Sequence, residues 1–327
     1  TYPPSTLKAE VEEYNGATWT EVTNIPATRK QGGGIGTLTA GAVVFGRLNP
    51  PAASGTDSAT TLEYDGTSWT SGGSGNVARS GVGSGGTQTA GIVFGGEKPP
   101  SAAASETEEY DGSSWASGGN LGTARGYVAM AGIQTAAIGA GGYTNPGNAR
   151  VANSEEYNGS AWSEGNDLNT ARRSAVGIGI QTAALVAVGL DTDGTDTVNV
   201  ESYNGTSWTE IANVNTGRRN TASAGTQTAG LIYGGNETTH ALTESWNGTS
   251  WTEVGDLNTA RGELGGAGTQ TAALASGGNG AVNPGKNESE EWNGTAWTEG
   301  NNLNIAHARM GSSGTQTAAL VFMGKIS

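Results

Sequence analysis

The sequence contains no cysteine, and only two of its 327 residues are histidines. Without cysteine the chain has neither a disulfide framework nor a thiol nucleophile. A serine–histidine–aspartate triad would have to use His240 or His307, and neither lies in a recognisable nucleophile motif. No apolar run reaches the roughly 18 residues that a membrane-spanning helix needs, so we expect no membrane insertion.

Charged residues are also scarce. They make up 14% of the chain, with 30 acidic against 16 basic residues and a net charge of −14. This balance disfavours nucleic acid as a partner, because phosphate binding needs a basic face. Glycine (56 residues) and proline (9 residues) approach the proportions of low-complexity chains. The glycines fall at regular places, however, and aromatic residues recur with them, which predicts a folded chain.

The feature that recurs is the segment Glu-Glu-Tyr-Asn-Gly-Ser-Ala-Trp-Ser-Glu at residues 155–164, which has near-copies along the whole sequence. Its tryptophan returns at intervals of 50, 46, 47, 46, 43 and 46 residues. The seven copies are Trp19, Trp69, Trp115, Trp162, Trp208, Trp251 and Trp297. Self-similarity at such a period indicates a repeat architecture. We therefore predict one domain, residues 1–327, built from seven units.

Each unit contains four strand-like segments, which we label A to D. In the fourth unit they are residues 171–179, 182–189, 198–203 and 207–211. Short runs rich in β-branched and aromatic residues, bounded by Gly and Asn, predict strands. No segment shows the apolar stripe of a helix. Strands C and D are joined by Asn-Gly or Asp-Gly in every unit, which favours a tight hairpin.

A four-stranded antiparallel unit repeated seven times at about 46 residues predicts an all-β, seven-bladed β-propeller. The chain begins with strands C and D, at 11–14 and 18–22, and ends with strands A and B, at 308–313 and 317–323. We expect these halves to pair into one blade, because closure removes free sheet edges; an open solenoid is the alternative. The predicted blades are 24–73, 74–119, 120–165, 166–212, 213–255, 256–302, and 303–327 with 1–23.

The tryptophan of strand D is predicted to lie between neighbouring blades. A buried aromatic side chain covers roughly 150–250 Å². At roughly 25 cal/mol per Å² this contributes at most about 4–6 kcal/mol. Such contacts in every blade would stabilise a ring whose strands otherwise have few large side chains.

The order of motifs within each unit is Ala-Arg, a strand of small residues, an apolar run ending in Gly-Gly, Glu-Tyr-Asn/Asp-Gly, and Trp-Thr-Glu. This order resembles the kelch repeat over essentially the whole chain. The glycine pair is a single glycine at Gly46, Gly189 and Gly324, and Trp246 and Trp292 replace the tyrosine. The segment Gly-Thr-Gln-Thr-Ala-Ala-Leu also looks like kelch-type proteins of bacteriophages and marine microbes. That resemblance implies a virion or surface-associated binding protein.

One arginine precedes strand A in each unit. The kelch resemblance implies that these arginines lie near the central channel on one face, where guanidinium groups can bind carboxylates, sulfates or acidic sugars. The alternative is that each arginine pairs with a neighbouring acid or carbonyl and orders its loop. The set is Arg29, Arg79, Arg125, Arg172, Arg218, Arg261 and Arg309.

The loops between strands B and C vary most in length and composition, and variable loops on a rigid scaffold commonly carry binding sites. Tyr143, Arg150 and His240 lie in these loops and are predicted to contact a protein or glycan ligand; the alternative is that they are merely solvated. Asp191, Asp193 and Asp196 weakly resemble a calcium loop, although the distal glutamate is missing. The alternative for these aspartates is a polar turn.

Galactose-oxidase-type enzymes share the kelch propeller, but their copper site needs a tyrosine–cysteine cofactor, which this chain cannot form. We expect no cofactor. The leading hypothesis is a non-enzymatic binding module on a phage particle or microbial surface that recognises a protein or glycan, with a virion or extracellular location. The alternative is a purely structural virion component that contacts other virion proteins. A glycan-cleaving enzyme using a carboxylate pair is a more distant alternative.

Overall fold

The computed structural model describes residues 6–7, 9–48, 56–236, 241–280, 285–322 and 324–326. Within these ranges the chain forms strands and turns but no helix, so none is long and apolar enough to cross a membrane. Seven four-stranded antiparallel sheets are arranged as the blades of a β-propeller. The predicted fold class is confirmed.

The four strands of each blade run outward from the channel in the order A, B, C, D. The A strands are Gly33–Thr37, Gly83–Thr87, Ala129–Ile133, Val176–Ile180, Ala222–Thr226, Gly265–Thr269 and Gly311–Thr315. The B strands are Ala40–Val44, Ala90–Phe94, Ala136–Ala140, Ala183–Ala187, Ala229–Tyr233, Ala272–Ser276 and Ala318–Phe322. The C strands are Thr61–Tyr64, Thr107–Tyr110, Ser154–Tyr157, Val200–Tyr203, Thr243–Trp246, Ser289–Trp292 and Val11–Tyr14. The D strands are Trp69–Ser71, Trp115–Ser117, Trp162–Glu164, Trp208–Glu210, Trp251–Glu253, Trp297–Glu299 and Trp19–Glu21.

The A strands of neighbouring blades pack against one another in a closed cycle around the channel. Their small residues make this approach possible: a Cβ on Gly177 would lie 2.2 Å from the backbone oxygen of Met130. The seventh blade combines both chain ends, with Val11 paired to Phe322 and Tyr14 paired to Ala319. The predicted closure by strands from the two ends is thus confirmed.

The tryptophans lie between blades, as predicted. The Nε1 of Trp115 donates a hydrogen bond of 2.7 Å to Thr61 Oγ1 in the preceding blade. Its ring packs 4.9 Å from the ring of Tyr110 and 5.1 Å from that of Phe45. The hydroxyl of Tyr110 donates to Glu63 of the preceding blade at 2.8 Å. The contact at Trp115 therefore combines apolar burial with a hydrogen bond between blades.

The chain before strand A is less regular than the sequence predicts. In the fourth blade, Arg172–Arg173 forms a separate short strand paired with Leu190–Asp191, and strand A begins only at Val176. Ser174 has a φ of 54°, which ends the short strand before strand A begins. Arg29–Lys30 likewise pairs with Arg47–Leu48. Two further short pairs lie between strands B and C of their blades: Glu97–Lys98 with Ala102–Ala103, and Thr6–Leu7 with Lys325–Ile326. The D-to-A connections and B-to-C loops thus share one surface, which we call the loop face.

Candidate functional site

Six of the seven predicted arginines have buried side chains, and five of them pair with a glutamate on strand C of their own blade. The guanidinium of Arg261 is 0% exposed; its Nη2 lies 3.0 Å from Glu290 Oε1 and its Nη1 donates to the carbonyl of Glu288 at 2.7 Å. Burial lowers the pKa of Arg261, and Glu290 opposes this effect. The five pairs are Arg79–Glu108, Arg125–Glu155, Arg172–Glu201, Arg218–Glu244 and Arg261–Glu290.

The same glutamates order the D-to-A connections. Glu201 Oε2 accepts hydrogen bonds from the backbone and side-chain nitrogens of Asn169, at 2.6 and 2.8 Å, and Oε1 accepts the Thr170 N–H at 3.1 Å. A buried ion pair is tolerated when its remaining polar atoms are satisfied in this way. The prediction that Arg79, Arg125, Arg172, Arg218 and Arg261 bind a ligand is therefore wrong: their charged groups are enclosed by the blade.

Arg29 is the exception among the buried arginines, because its blade has Leu62 where the others have glutamate. Its guanidinium donates to Phe45 O at 3.1 Å and to Thr60 Oγ1 at 2.9 Å. No carboxylate among the described residues pairs with it, and burial lowers its pKa to about 10. Since Arg29 is also only 2% exposed, its predicted role in ligand binding is wrong for the same reason.

Arg309 does not occupy the seventh position of this buried set. That position belongs to His307, which is fully buried with Nε2 3.7 Å from Oε1 of Glu12. Glu12 accepts the Asn304 N–H at 2.7 Å, as its counterparts do in other blades. Arg309 lies two residues further on, with an exposed side chain at the channel. The sequence alignment of Arg309 with the other arginines was wrong, whereas its predicted position at the channel agrees with the structure.

The residues equivalent to Arg309 form a ring around the channel on the loop face. All seven have φ between 51° and 62°, a left-handed conformation that turns the chain into strand A. Four successive pairs are linked by backbone hydrogen bonds, for example from Glu263 N to Asn220 O and from Arg309 N to Glu263 O, both 3.0 Å. We call this set the mouth ring: Gln31, Gly81, Tyr127, Ser174, Asn220, Glu263 and Arg309.

A cavity of about 550 Å³ opens at the mouth ring, and every mouth-ring residue except Gly81 lines it. Residues next to the mouth ring complete the wall: Glu97, Tyr143, Arg173, Leu190, Arg219, Asn236 and Asn279. The side chains at these positions differ from blade to blade, in contrast to the repeated arginine–glutamate pairs beneath them. The cavity is therefore asymmetric although the scaffold is nearly seven-fold symmetric.

Two of the arginines at the cavity are held by carboxylates. Arg309 Nε lies 2.5 Å from Glu263 Oε1, and Asn279 Nδ2 donates to the other oxygen of Glu263. Arg219 Nη1 lies 2.5 Å from Asp196 Oδ1. These pairs fix the side chains at the rim, and surface pairs of this kind contribute about 0–1 kcal/mol each to stability.

Arg173 differs, because no carboxylate among the described residues pairs with it. Its Nη1 donates to Asn148 Oδ1 at 3.1 Å, and its guanidinium carbon lies 5.1 Å from the centre of the Tyr143 ring. Burial lowers the pKa of Arg173, and the positive charges of Arg150 and Arg219 lower it further. Arg173 is therefore the arginine lining the cavity that has no ion-pair partner among the described residues.

Tyr143, a predicted site residue, does line the cavity. Only 4% of it is exposed, its hydroxyl donates to Glu97, and its ring lies 5.7 Å from the ring of Tyr127. Burial and the charge of Glu97 raise the pKa of Tyr127. Arg150, also predicted, is paired through its backbone with Tyr143 but does not line the cavity. The predicted His240 lies outside the described residues.

The three aspartates of the proposed calcium loop do not converge. Asp191 Oδ1 accepts the backbone N–H groups of Asp193 and Thr195, at 3.0 and 2.9 Å, which closes a polar turn. Asp196 points to Arg219 instead. In the part of the chain that the structure describes, no three His, Cys, Asp or Glu side chains are grouped to hold a metal ion. The structure thus supports the polar-turn alternative.

Several cavity residues were missed at the level of sequence: Tyr127, Arg173, Arg219, Glu97 and Glu263. For all of these except Glu97, the signal was present in the repeat itself. The arginine before strand A is nearly constant, and the residues one and two positions after it vary. A constant residue in a repeat serves the scaffold, and the variable neighbour is the better candidate for a ligand contact.

No family model and no curated protein sequence matches the chain. Solved structures do match it. One of these, described as "Structure of YjhT", superimposes with a TM-score of 0.62 and 13% identity, covering 81% of this chain and 95% of that chain. At this identity the similarity shows the fold alone. The chain is a seven-bladed β-propeller, and an open cavity at the channel mouth is consistent with a binding module.

Proposed function

We propose that the chain is a non-enzymatic, kelch-type binding module that holds a glycan in the cavity at the mouth ring. The observation that carries this proposal is the asymmetric cavity of about 550 Å³. Its volume falls within the roughly 300–1,000 Å³ that small-ligand sites occupy. A protein partner would need a contact area of roughly 800 Å² on this surface, most of it outside the cavity.

The lining supports a sugar ligand. Tyr127 and Tyr143 offer aromatic rings with one polar end each, and Asn220 offers an amide group, while the amide nitrogens of Asn236 and Asn279 are bound to Asp196 and Glu263. Amides both donate and accept hydrogen bonds, as sugar hydroxyls do. The resemblance to phage and marine kelch-type proteins supports a location on a virion or microbial surface.

The carboxylates of the cavity support binding rather than glycan cleavage. Glu263 is engaged by Arg309 and Asn279, and Glu97 is engaged by Tyr143 and by Arg47 at 3.5 Å. Glycoside hydrolysis needs one carboxyl group that keeps a proton to donate. The oxygens of both glutamates already have partners within the protein, so neither carboxyl group is free to approach a glycosidic oxygen.

A structural virion component is the second candidate, and one observation favours it. Ile133 and Ile180 are 56% and 59% exposed at the ends of strand A in two adjacent blades, on the face opposite the loop face. The other five blades have threonine there. Adjacent exposed apolar side chains are typical of contact surfaces.

A glycan-array measurement tests the binding proposal. The variant is Ser174→Tyr, which places a ring in the cavity; the mouth ring already accepts tyrosine at Tyr127, where φ is 51°. We expect the wild type to bind selected glycans. Ser174→Tyr should no longer bind them, and its melting temperature should change little. Ile180→Tyr, on the opposite face, is the matched control and should bind as the wild type does. An array without wild-type binding, or equal binding by Ser174→Tyr, would refute the proposal.

A further inference from the structure

The arginines of this acidic chain are concentrated on the loop face. The net charge is −14, yet every arginine lies in a D-to-A connection or a B-to-C loop. Six of them are the buried residues described above. The remaining five are half-buried or exposed on the loop face: Arg47, Arg150, Arg173, Arg219 and Arg309. A local reversal of charge on an acidic protein concentrates anions at that place.

These five arginines differ in how far their charge is already compensated. Arg47 has two carboxylate partners, Asp57 at 3.0 Å and Glu97 at 3.5 Å. Arg219 and Arg309 have one each. Arg150 and Arg173 pair with no carboxylate in the described parts of the chain, and the buried Nε of Arg150 has no hydrogen-bond partner there. The positive charges of Arg150 and Arg219 lower the pKa of Arg173, while the charge of Glu97 opposes them.

Arg173 and Arg219 come from equivalent positions in adjacent blades. Each follows a buried arginine directly, and each is followed by a small polar residue of the mouth ring, Ser174 or Asn220. The other blades have Lys30, Ser80, Gly126, Gly262 and Ala308 at the arginine position. Two guanidinium groups and two small polar side chains therefore line one side of the cavity.

This arrangement matches an oxyanion. A carboxylate or sulfate group accepts several hydrogen bonds at once, and guanidinium groups present donors in a fixed fork. Tyr143 lies beneath Arg173 and holds it from one side, at 5.1 Å from guanidinium carbon to ring centre. An anion bound at Arg173 would relieve the repulsion from Arg150 and Arg219.

We propose that the ligand is an acidic glycan whose carboxylate or sulfate group binds Arg173 and Arg219, with Ser174 and Asn220 as additional hydrogen-bonding groups. This proposal rests on the proposed function, since it specifies the chemistry of the glycan held in the same cavity.

The test is a glycan array with three arms, composed of neutral, uronate-containing and sulfated oligosaccharides, probed at low and moderate salt. Affinities for the glycans bound are then measured for Arg173→Gln, Arg173→Lys and Lys98→Gln. We expect only acidic glycans to bind, with affinity falling as salt rises. Arg173→Gln should lower the affinity for acidic glycans roughly tenfold to a hundredfold, which is the effect of losing a charged hydrogen bond. Arg173→Lys should recover part of that affinity.

Lys98→Gln is the matched control, because it removes one positive charge from the loop face outside the cavity, where Lys98 pairs with Glu106. Its affinity for acidic glycans should lie within about twofold of the wild-type affinity. The uronate and sulfate arms show which oxyanion is recognised. Binding of neutral glycans, or equal binding of acidic glycans by Arg173→Gln, would overturn this inference and leave the proposed function standing. An array with no binding at all would overturn both.

Discussion

The buried arginines show that the same residue at the same position of the repeat can contribute differently to stability. Arg172 and Glu201 neutralise one another inside the fourth blade, and both side chains are 0% exposed. Arg29 is buried in the first blade with Leu62 in place of the glutamate, and its hydrogen bonds go to Phe45 and Thr60. Removal of one member of a buried pair leaves an uncompensated charge, which costs far more than the pair itself contributes.

We therefore predict unequal costs for the same substitution in two blades. Arg172→Met leaves Glu201 buried without its cation and should lower the free energy of unfolding by about 3–5 kcal/mol. Arg29→Met leaves no carboxylate behind and removes a charge that burial disfavours, so its cost should be about 1–2 kcal/mol from lost hydrogen bonds. Urea unfolding followed by tryptophan fluorescence measures both. Equal costs would show that the glutamate is not what makes Arg172 necessary.

At the scale of elements, the C-to-D hairpins share one type of turn, which is closed by an aspartate in some blades and by an asparagine in others. Asp111 Oδ1 accepts the backbone N–H groups of Ser113 and Ser114, both at 2.8 Å. Asn158 Oδ1 accepts the equivalent N–H groups of Ser160 and Ala161 at 3.0 Å. Asparagine and aspartate are interchangeable in this turn because each offers one oxygen to two donors. Only the aspartate turns depend on pH.

The aspartate turns should make stability depend on acid pH. The Ser114 N–H, followed by the Ser113 contacts, lowers the pKa of Asp111 from 3.8 to about 2, and backbone N–H groups likewise lower that of Asp65. A lowered pKa in the folded state contributes stability that is present above pH 3.8 and is lost as pH falls towards 2. The double variant Asp65→Asn, Asp111→Asn should match the wild type at pH 7 and lose less stability between pH 4 and 2.

Melting temperatures at several pH values between 2 and 7 measure this effect. Asp193→Asn is a suitable control, because Asp193 is an exposed acidic residue outside these hairpins. It should leave the acid slope of the melting temperature unchanged. A double variant whose acid slope equals that of the wild type would contradict the prediction.

At the scale of the whole molecule, stability depends on closure of the ring by the seventh blade. Its C and D strands come from one end of the chain and its A and B strands from the other, and Val11 pairs with Phe322. The side chains of Val11, Leu320 and Phe322 also pack in one cluster with Val43 and Leu62 of the first blade. The junction between the two ends of the chain is therefore stabilised both by sheet hydrogen bonds and by buried apolar side chains.

We predict that deletion of residues 1–22 exposes Ala318–Phe322 as an edge strand and causes association or loss of cooperative unfolding. The control is a circular permutant in which a flexible linker joins the native ends and new ends open at the exposed Asp193–Gly194 turn. This permutant keeps every strand pair and should unfold cooperatively near the wild-type temperature. Size-exclusion chromatography and thermal unfolding distinguish the two chains. A deletion variant that stays monomeric and unfolds cooperatively would show that strands C and D of the seventh blade are dispensable.

The sequence predicted the fold well because its information is local and repeated. The Asn-Gly or Asp-Gly turns, the tryptophan of strand D and the glycines of strand A occur in each unit, so an error in one unit is corrected by the others. The site was predicted less well. Tyr143 and Arg309 do line the cavity, whereas the six buried arginines do not, because one arginine per unit is also the pattern of a structural contact.

The sequence by itself determined the number of blades, their strand order and the closure by the two chain ends, since these follow from periodicity and from complementary half-repeats. The tertiary structure alone decided which cations line the cavity. Arg172 and Arg173 are neighbours in sequence, but one turns into the blade towards Glu201 and the other lies at the cavity beside Tyr143. That division depends on the left-handed turn at Ser174 and on strands from distant parts of the chain converging around one channel.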